Sequence, residues 1–321
     1  MKLVMFQLKS EEKENQRIGV VENDVVVDLQ KAYAALLKDG GSVRAEEMAK
    51  TVFPSETAEF LKGGEKSLEE AKYVLSSVEN ASDEWKKQCT FPRDEVKLNA
   101  PVQAPQKILC VGHNYREHIL EMGRDLPEYP VSFAKFANTI IGPEDDIPKY
   151  DISDQLDYEA EFAIVIGKRA CNVKKEDALD YVAGYTVAND VTYRDLQRRT
   201  LQWLQGKSVD GTAPLGPWLV TSDELTDPSN LEISLSVNGE ERQRSNTKNL
   251  VFSVEDLVEF FSGLMTLEPG DVILSGTPGG VGFARDPKTF MKDGDVCTVN
   301  IDSVGTLENR VKAAKRAEVK L

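Results

Sequence analysis

The stretch LDYEAEFAIVIG, residues 156–167, sets the terms on which the rest of the chain is interpreted. β-Branched and aromatic residues run into Ile164, Val165 and Ile166, and Gly167 ends the run, so a strand is expected. Glu159 and Glu161 sit inside it, two positions apart. Strand side chains alternate faces, which places both carboxylates on one side, roughly 6–7 Å apart at about 3.3 Å rise per residue. Two like charges on an apolar strand repel and are costly to bury, so the pair needs a cause.

Going outward, the chain has 321 residues, 40% hydrophobic and 29% charged, enough for two domains or one large one without disulfide stapling. With 54 acidic residues against 39 basic, the net charge is −15. That excess speaks against nucleic acid and anionic membrane as partners. It also means that an anionic substrate must be drawn in by local cations. The four cysteines, Cys89, Cys110, Cys171 and Cys297, form no CxxC and are expected as free thiols. The start, MKLVMFQLKSEEKEN, has only a short apolar run, and no run of 18 apolar residues occurs, so a cytoplasmic protein is expected.

Residues 1–30 suggest short strands, KLVMFQL, RIGVV and VVVDL. The period turns helical over 42–80, with Ser42 and Ser67 as N-caps. FPRDEVKLNAPVQAPQK (91–107) carries three prolines and is expected as a linker between a small N-terminal α+β domain (1–100) and a larger domain (101–321). In the latter, ILCVG (108–112) suggests a strand and YREHILEMG (115–123) a short helix closed by Gly123. TYRDLQRRTLQWLQG suggests a helix, Asn238-Gly239 a hairpin, and SVEDLVEFFSGLMTL an amphipathic helix capped by Ser253. Strands dominate without regular alternation with long helices, which favours a β-rich α+β class over a doubly wound sheet or (β/α)₈ barrel.

Only two histidines occur, His113 and His118, so a His-rich metal site is disfavoured. A metal here would be a hard ion on carboxylates, Mg²⁺, Mn²⁺ or Ca²⁺, with Asp190 at the end of TVAND as a third arm beside Glu159 and Glu161. The alternative is that both glutamates face solvent or pair with Lys168 and Arg169. His118 and Glu121 lie three apart on the short helix, the spacing of an imidazole oriented as a general base or of an incidental surface pair. Lys207 can stabilise negative charge or sit in solvent. Arg194 and Gln197 share one helical turn and suit a carboxylate or plain surface polarity. SGTPGGVG lacks the Lys of a phosphate loop; with Thr277 it can line an anion site or form an ordinary turn.

In order, CVGHNYREHILEMG, FAKFANTIIGP, LDYEAEFAIVIG, GYTVANDVTYRDLQ, GKSVDGTAPLGPWLV, LVFSVEDLVEFFS and GDVILSGTPGGVG resemble the fumarylacetoacetate hydrolase family over about residues 107–305. The resemblance implies a C-terminal roll of mixed β-strands, usually in a homodimer, that binds Mg²⁺ or a similar ion. It implies Glu159, Glu161 and Asp190 as metal ligands and His118 with Glu121 as a lid dyad. It implies Arg194, Gln197, Lys207 and Thr277 as substrate contacts, with Lys207 helping to hold the oxyanion. The implied substrate is a 2-oxo acid with a second carbonyl or carboxylate two carbons away. Acylpyruvate-type C–C hydrolysis by His118-activated water is expected first, oxaloacetate decarboxylation next and hydroxy-dienedioate isomerisation third; non-catalytic 2-oxo-acid binding remains the other class. His113, Phe136 and the residues after GKS depart from the family pattern and border the part of the pocket that holds the substrate's variable end.

Overall fold

The computed structural model describes residues 1–11, 15–121, 123 and 125–315. The fold is mixed α+β and rich in strands, as the pattern predicts. Its main sheet has twelve strands, and a second sheet of five packs beside it. The strand Ala160–Ile166 is central and wholly buried. It pairs antiparallel with Val182–Asn189 on one side and with Val272–Leu274 on the other. Val272–Leu274 continues in parallel to Ile108–Gly112, which pairs with Val131–Lys135.

Alternation along Ala160–Ile166 divides the interior in two. Phe162, Ile164 and Ile166 enter the core that faces Phe261 and the five-stranded sheet. Ala163 and Val165 enter a second core shared with Leu3, Phe53 and Phe60 of the N-terminal part. By the same period of two, Asp157, Glu159 and Glu161 are on the side of Ala163 and Val165.

The N-terminal strands Lys2–Leu8, Arg17–Glu22 and Val25–Asp28 form as expected. Lys2–Leu8 joins the edge of Ala213–Thr221, so both parts of the chain share one sheet. Several local expectations are corrected. A helix, Leu29–Asp39, follows directly on the third strand, its N-terminus closed by the Asp28 carboxylate accepting from the Lys31 N–H. Ser67 lies inside the helix Glu65–Glu79, which starts after Gly64, and Ser42 accepts from the Arg44 N–H just before the helix Ala45–Val52 without capping it. The stretch 91–107 is not a plain linker, because Val96–Asn99 is a strand paired to Lys2–Leu8: prolines flank it but leave its own N–H groups free to join the ladder. TYRDLQRRTLQWLQG breaks into two single turns, Arg194–Gln197 and Leu204–Lys207. Ser253 caps the helix Val254–Leu264 through a reciprocal capping box with Asp256. Among the described residues, no helix is long and apolar enough to cross a membrane.

Candidate metal and anion site

Glu159 and Glu161 are buried, not solvent-facing, and Lys168 and Arg169 pair elsewhere, with Glu65 and Glu268. The antiparallel register sets Glu161 opposite Ala188 and Ala160 opposite Asn189. Asp190, next along, donates its N–H to the Glu159 carbonyl at 2.9 Å. Ligand oxygens of Glu159, Glu161 and Asp190 thereby lie within 4.8 Å of one another.

Three buried cations meet this cluster. Lys207 Nζ donates to Glu159 Oε2 at 2.7 Å and to Asp190 Oδ2 at 2.6 Å. Lys135 Nζ donates to Asp190 Oδ1 at 2.8 Å and to the Val191 carbonyl at 3.3 Å. Arg194 reaches Glu159 Oε1 through Nη1 at 2.7 Å and Asp157 Oδ2 through Nε at 2.7 Å. Burial pulls the Lys207 pKa down, but Asp190 and Glu159 outweigh it and hold the ammonium above its ordinary value. Lys207 is thereby held in its charged form.

Among the described residues, Glu161 has no such cation within hydrogen-bonding reach. Its Oε2 accepts the Gly276 N–H at 2.7 Å. Burial, then the charges of Asp190 and Glu159, push its carboxyl well above the usual carboxylate range. Gly276 can approach only because it is a glycine: its φ is +104°, and a Cβ there would meet the Val111 carbonyl oxygen and Asn114 Cβ at 2.9 Å. Lys207 depends on a second close approach. Gly206 packs against the Arg194–Gln197 turn, where a Cβ would lie 2.4 Å from the Gln197 nitrogen.

Asp157, unnoticed in the sequence, organises the surroundings. Its Oδ1 accepts the N–H groups of Tyr158 and Gly282, and its Oδ2 accepts from Phe283 N–H and Arg194 Nε. The signal was present as a third carboxylate in the same period, at 157, 159 and 161. Gln243, like Lys135, is a further unforeseen member. From the second sheet its Oε1 accepts the Ala160 N–H, while its Nε2 donates to Thr277 Oγ1 and the Pro278 carbonyl, each at 2.8 Å. With that acceptor contact filled, the Thr277 hydroxyl proton is left to point elsewhere, and Thr277 lines the cavity.

That cavity brings Glu159, Glu161, Arg194, Gln197, Lys207 and Thr277 together. His113 lines it too, held at a left-handed φ of 54° with its ring edge-to-face against Trp203. The backbone of His118 and Glu121 forms the helix Arg116–Glu121, whereas their side chains lie outside the described residues. The root of this helix is tied down. Asn114 donates to the carbonyls of Ser275 and Phe252 and accepts the Phe252 N–H, and Glu117 accepts from Ser245 Oγ and Asn249 Nδ2.

The donor set suits a hard cation. It is made of carboxylate oxygens, three of them close enough to share one ion at about 2.0–2.6 Å each. One Glu161 oxygen is already held by a backbone N–H, which orients the carboxylate.

Comparison with known proteins matches the family model described as fumarylacetoacetate (FAA) hydrolase C-terminal to residues 107–312. A mitochondrial oxaloacetate tautomerase of Xenopus laevis is 42% identical over 313 residues, covering 97% of this chain and 90% of that protein. An oxaloacetate tautomerase of Bacillus subtilis is 39% identical over 296 residues, covering 91% and 94%. Among solved structures, a fumarylacetoacetate hydrolase from Exiguobacterium antarcticum superposes with a TM-score of 0.78 at 36% identity, over 98% of this chain and 100% of the other. A maleylpyruvate hydrolase from Sphingobium, in complex with manganese(II) and pyruvate, gives 0.72 at 28% identity with the same coverage.

Proposed function

The chain belongs to the fumarylacetoacetate hydrolase family, and from that premise we propose that it interconverts the keto and enol forms of oxaloacetate. The observation that carries this reading is the near-full-length likeness to two oxaloacetate tautomerases, one vertebrate and one bacterial. It reverses the order expected from sequence, where acylpyruvate hydrolysis precedes oxaloacetate chemistry, and it replaces decarboxylation with proton transfer. The site suits either reaction up to a shared point. Hydrolysis, decarboxylation and tautomerisation all pass through negative charge on the C2 oxygen; tautomerisation asks only that a proton leave C3 and one arrive at that oxygen, or the reverse.

When bound by Glu159, Glu161 and Asp190, a divalent cation, Mg²⁺ or Mn²⁺, supplies a Lewis acid for the 2-oxo and carboxylate oxygens. The protein's own groups supply the rest. Lys207, its ammonium form favoured by Asp190 and Glu159, stabilises the C2 oxyanion. Arg194 Nη2 is buried and, among the described residues, has no hydrogen-bond partner, so it is left to donate to a substrate carboxylate oxygen, with Gln197 3.1 Å from Nη1 to steady the guanidinium. The Thr277 hydroxyl donates beside it. We assign the proton at C3 to His118 with Glu121, the dyad that the family resemblance implies.

The test is to follow the ultraviolet absorbance of enol-oxaloacetate with purified protein and Mg²⁺. Ketonisation about 10²-fold or more above the Mg²⁺ buffer is expected. A rate equal to buffer, together with cleavage of acetylpyruvate to acetate and pyruvate, overturns the tautomerase reading in favour of hydrolysis.

The raised Glu161 carboxyl makes a second prediction. An ion needs the carboxylate, so its binding must expel the proton. Mg²⁺ affinity should therefore fall as pH falls, and calorimetric heats should differ between buffers of different ionisation enthalpy. Heats that do not depend on the buffer would remove Glu161 as the proton source.

A further inference from the structure

We propose that Arg198 selects the substrate's second carboxylate, so that the site prefers 2-oxo diacids over 2-oxo monoacids. This rests on the reading of a 2-oxo acid substrate above and names the residue that sets its specificity. Charge accounting leads to it. Around the inner end of the cavity, three cations, Lys135, Arg194 and Lys207, face four carboxylates, Asp157, Glu159, Glu161 and Asp190. With a divalent ion and the substrate's first carboxylate added, these charges cancel, so that end has no surplus positive charge to offer a distal carboxylate, and the chain's overall charge of −15 repels a dianion.

Arg198 lines the same cavity, immediately after Gln197, with its N–H donating to the Arg194 carbonyl at 3.2 Å. Its side chain is exposed, and among the described residues it forms no ion pair. Its guanidinium carbon lies 4.5 Å from the centroid of the Phe283 ring, which also lines the cavity. Lys288 Nζ lies 3.9 Å from the same centroid. Two cations thus lie against one aromatic ring, and among the described residues neither forms an ion pair, in a protein where acids outnumber bases. A guanidinium over an aromatic ring can still offer its N–H groups to a bidentate carboxylate. The platform is anchored to the inner site, because the Phe283 N–H donates to Asp157 Oδ2, whose other partner is Arg194. A substrate held by its 2-oxo end at the inner cluster therefore meets Arg198, which among the described residues is a cation of the cavity wall without an ion pair.

The test compares wild type with Arg198→Gln and Arg198→Lys on oxaloacetate and on its 4-methyl ester, which keeps the skeleton and removes the distal charge. In R198Q, the ratio of kcat/KM for oxaloacetate to that for the ester should fall by about tenfold to hundredfold, mainly through KM, and R198K should restore part of it. Calorimetry in Mg²⁺ buffer gives a readout without turnover. The affinity ratio of 3,3-difluorooxaloacetate, which has no C3 proton to lose, to oxalate should fall by the same order in R198Q. Ratios constant within twofold in both experiments overturn the proposal. If wild type turns over neither substrate while the binding ratio still falls in R198Q, the tautomerase reading fails and the assignment of Arg198 stands.

Discussion

Glu161→Gln is expected to lower kcat/KM about 10³-fold and abolish divalent-ion binding, while the ion-free fold stays as stable as wild type or becomes more so. The amide keeps the size of the carboxyl and can still accept the Gly276 N–H. What it loses is the charge that an ion requires. Losing several kcal/mol of transition-state charge stabilisation corresponds to a rate factor of that size. Stability moves the other way because of the sign of the pKa shift. The Glu161 carboxyl is held above its unfolded value, first by burial and then by Asp190 and Glu159. Its contribution to stability is complete below the unfolded pKa and is lost as pH rises toward the folded one. Glutamine does not titrate, so the ion-free variant should show a flatter stability–pH profile above about pH 4, the ordinary glutamate range. Urea unfolding in chelator across that range, beside Mg²⁺ calorimetry and the enol assay, checks all three parts. A variant that still binds Mg²⁺ with wild-type affinity removes Glu161 from the ligand set.

Asp157→Ala should instead damage fold and function together, costing about 3–5 kcal/mol of stability and most of the activity. The Asp157 carboxylate is fully buried and accepts four hydrogen bonds, three from backbone N–H groups and one from Arg194. Its removal leaves Gly282 and Phe283 N–H groups without their acceptor and Arg194 with only Glu159 to balance it. Asp157→Asn should not rescue it, since an amide offers one acceptor oxygen and turns an NH₂ toward donors. Denaturant midpoints together with kcat and KM distinguish this from a purely catalytic role. Loss of activity with an unchanged midpoint would show that the Gly282–Phe283 turn holds itself.

The carboxylate triad is legible in the sequence because strand periodicity is strict: two acids at i and i+2 must share a face, and a third at the end of a nearby strand can reach them. Lys207, Arg194, Gln197 and Thr277 are legible only through the ordered likeness to a family, since a lone Lys or an Arg on a helical turn carries no local signal. Lys135 and Gln243 escape for a related reason. They reach the site from separate strands, through pairings set by tertiary register that no short window contains. Caps and boundaries fail where tertiary contact outweighs local preference, as in the strand Val96–Asn99 within a proline-rich stretch. Ser253 succeeds because its partner Asp256 is three residues away and completes the cap locally.

The pairing of Lys2–Leu8 with Ala213–Thr221, and the core that Leu3, Phe53 and Phe60 share with Ala163 and Val165, bear on how this chain can change over time. Phe53 and Phe60 stack on each other beneath the strand that carries the acids, and Ala58 of the same segment abuts Gly270, just before Val272–Leu274. The described part of the first hundred residues thus forms the bedding of the strand that carries Glu161. Their exposed faces are free to drift, but their inner face is bound to the shape of that strand's underside. An exchange of this segment between relatives should succeed only where those apolar contacts travel with it, and deleting it would leave the flank of Ala213–Thr221 as an adhesive edge.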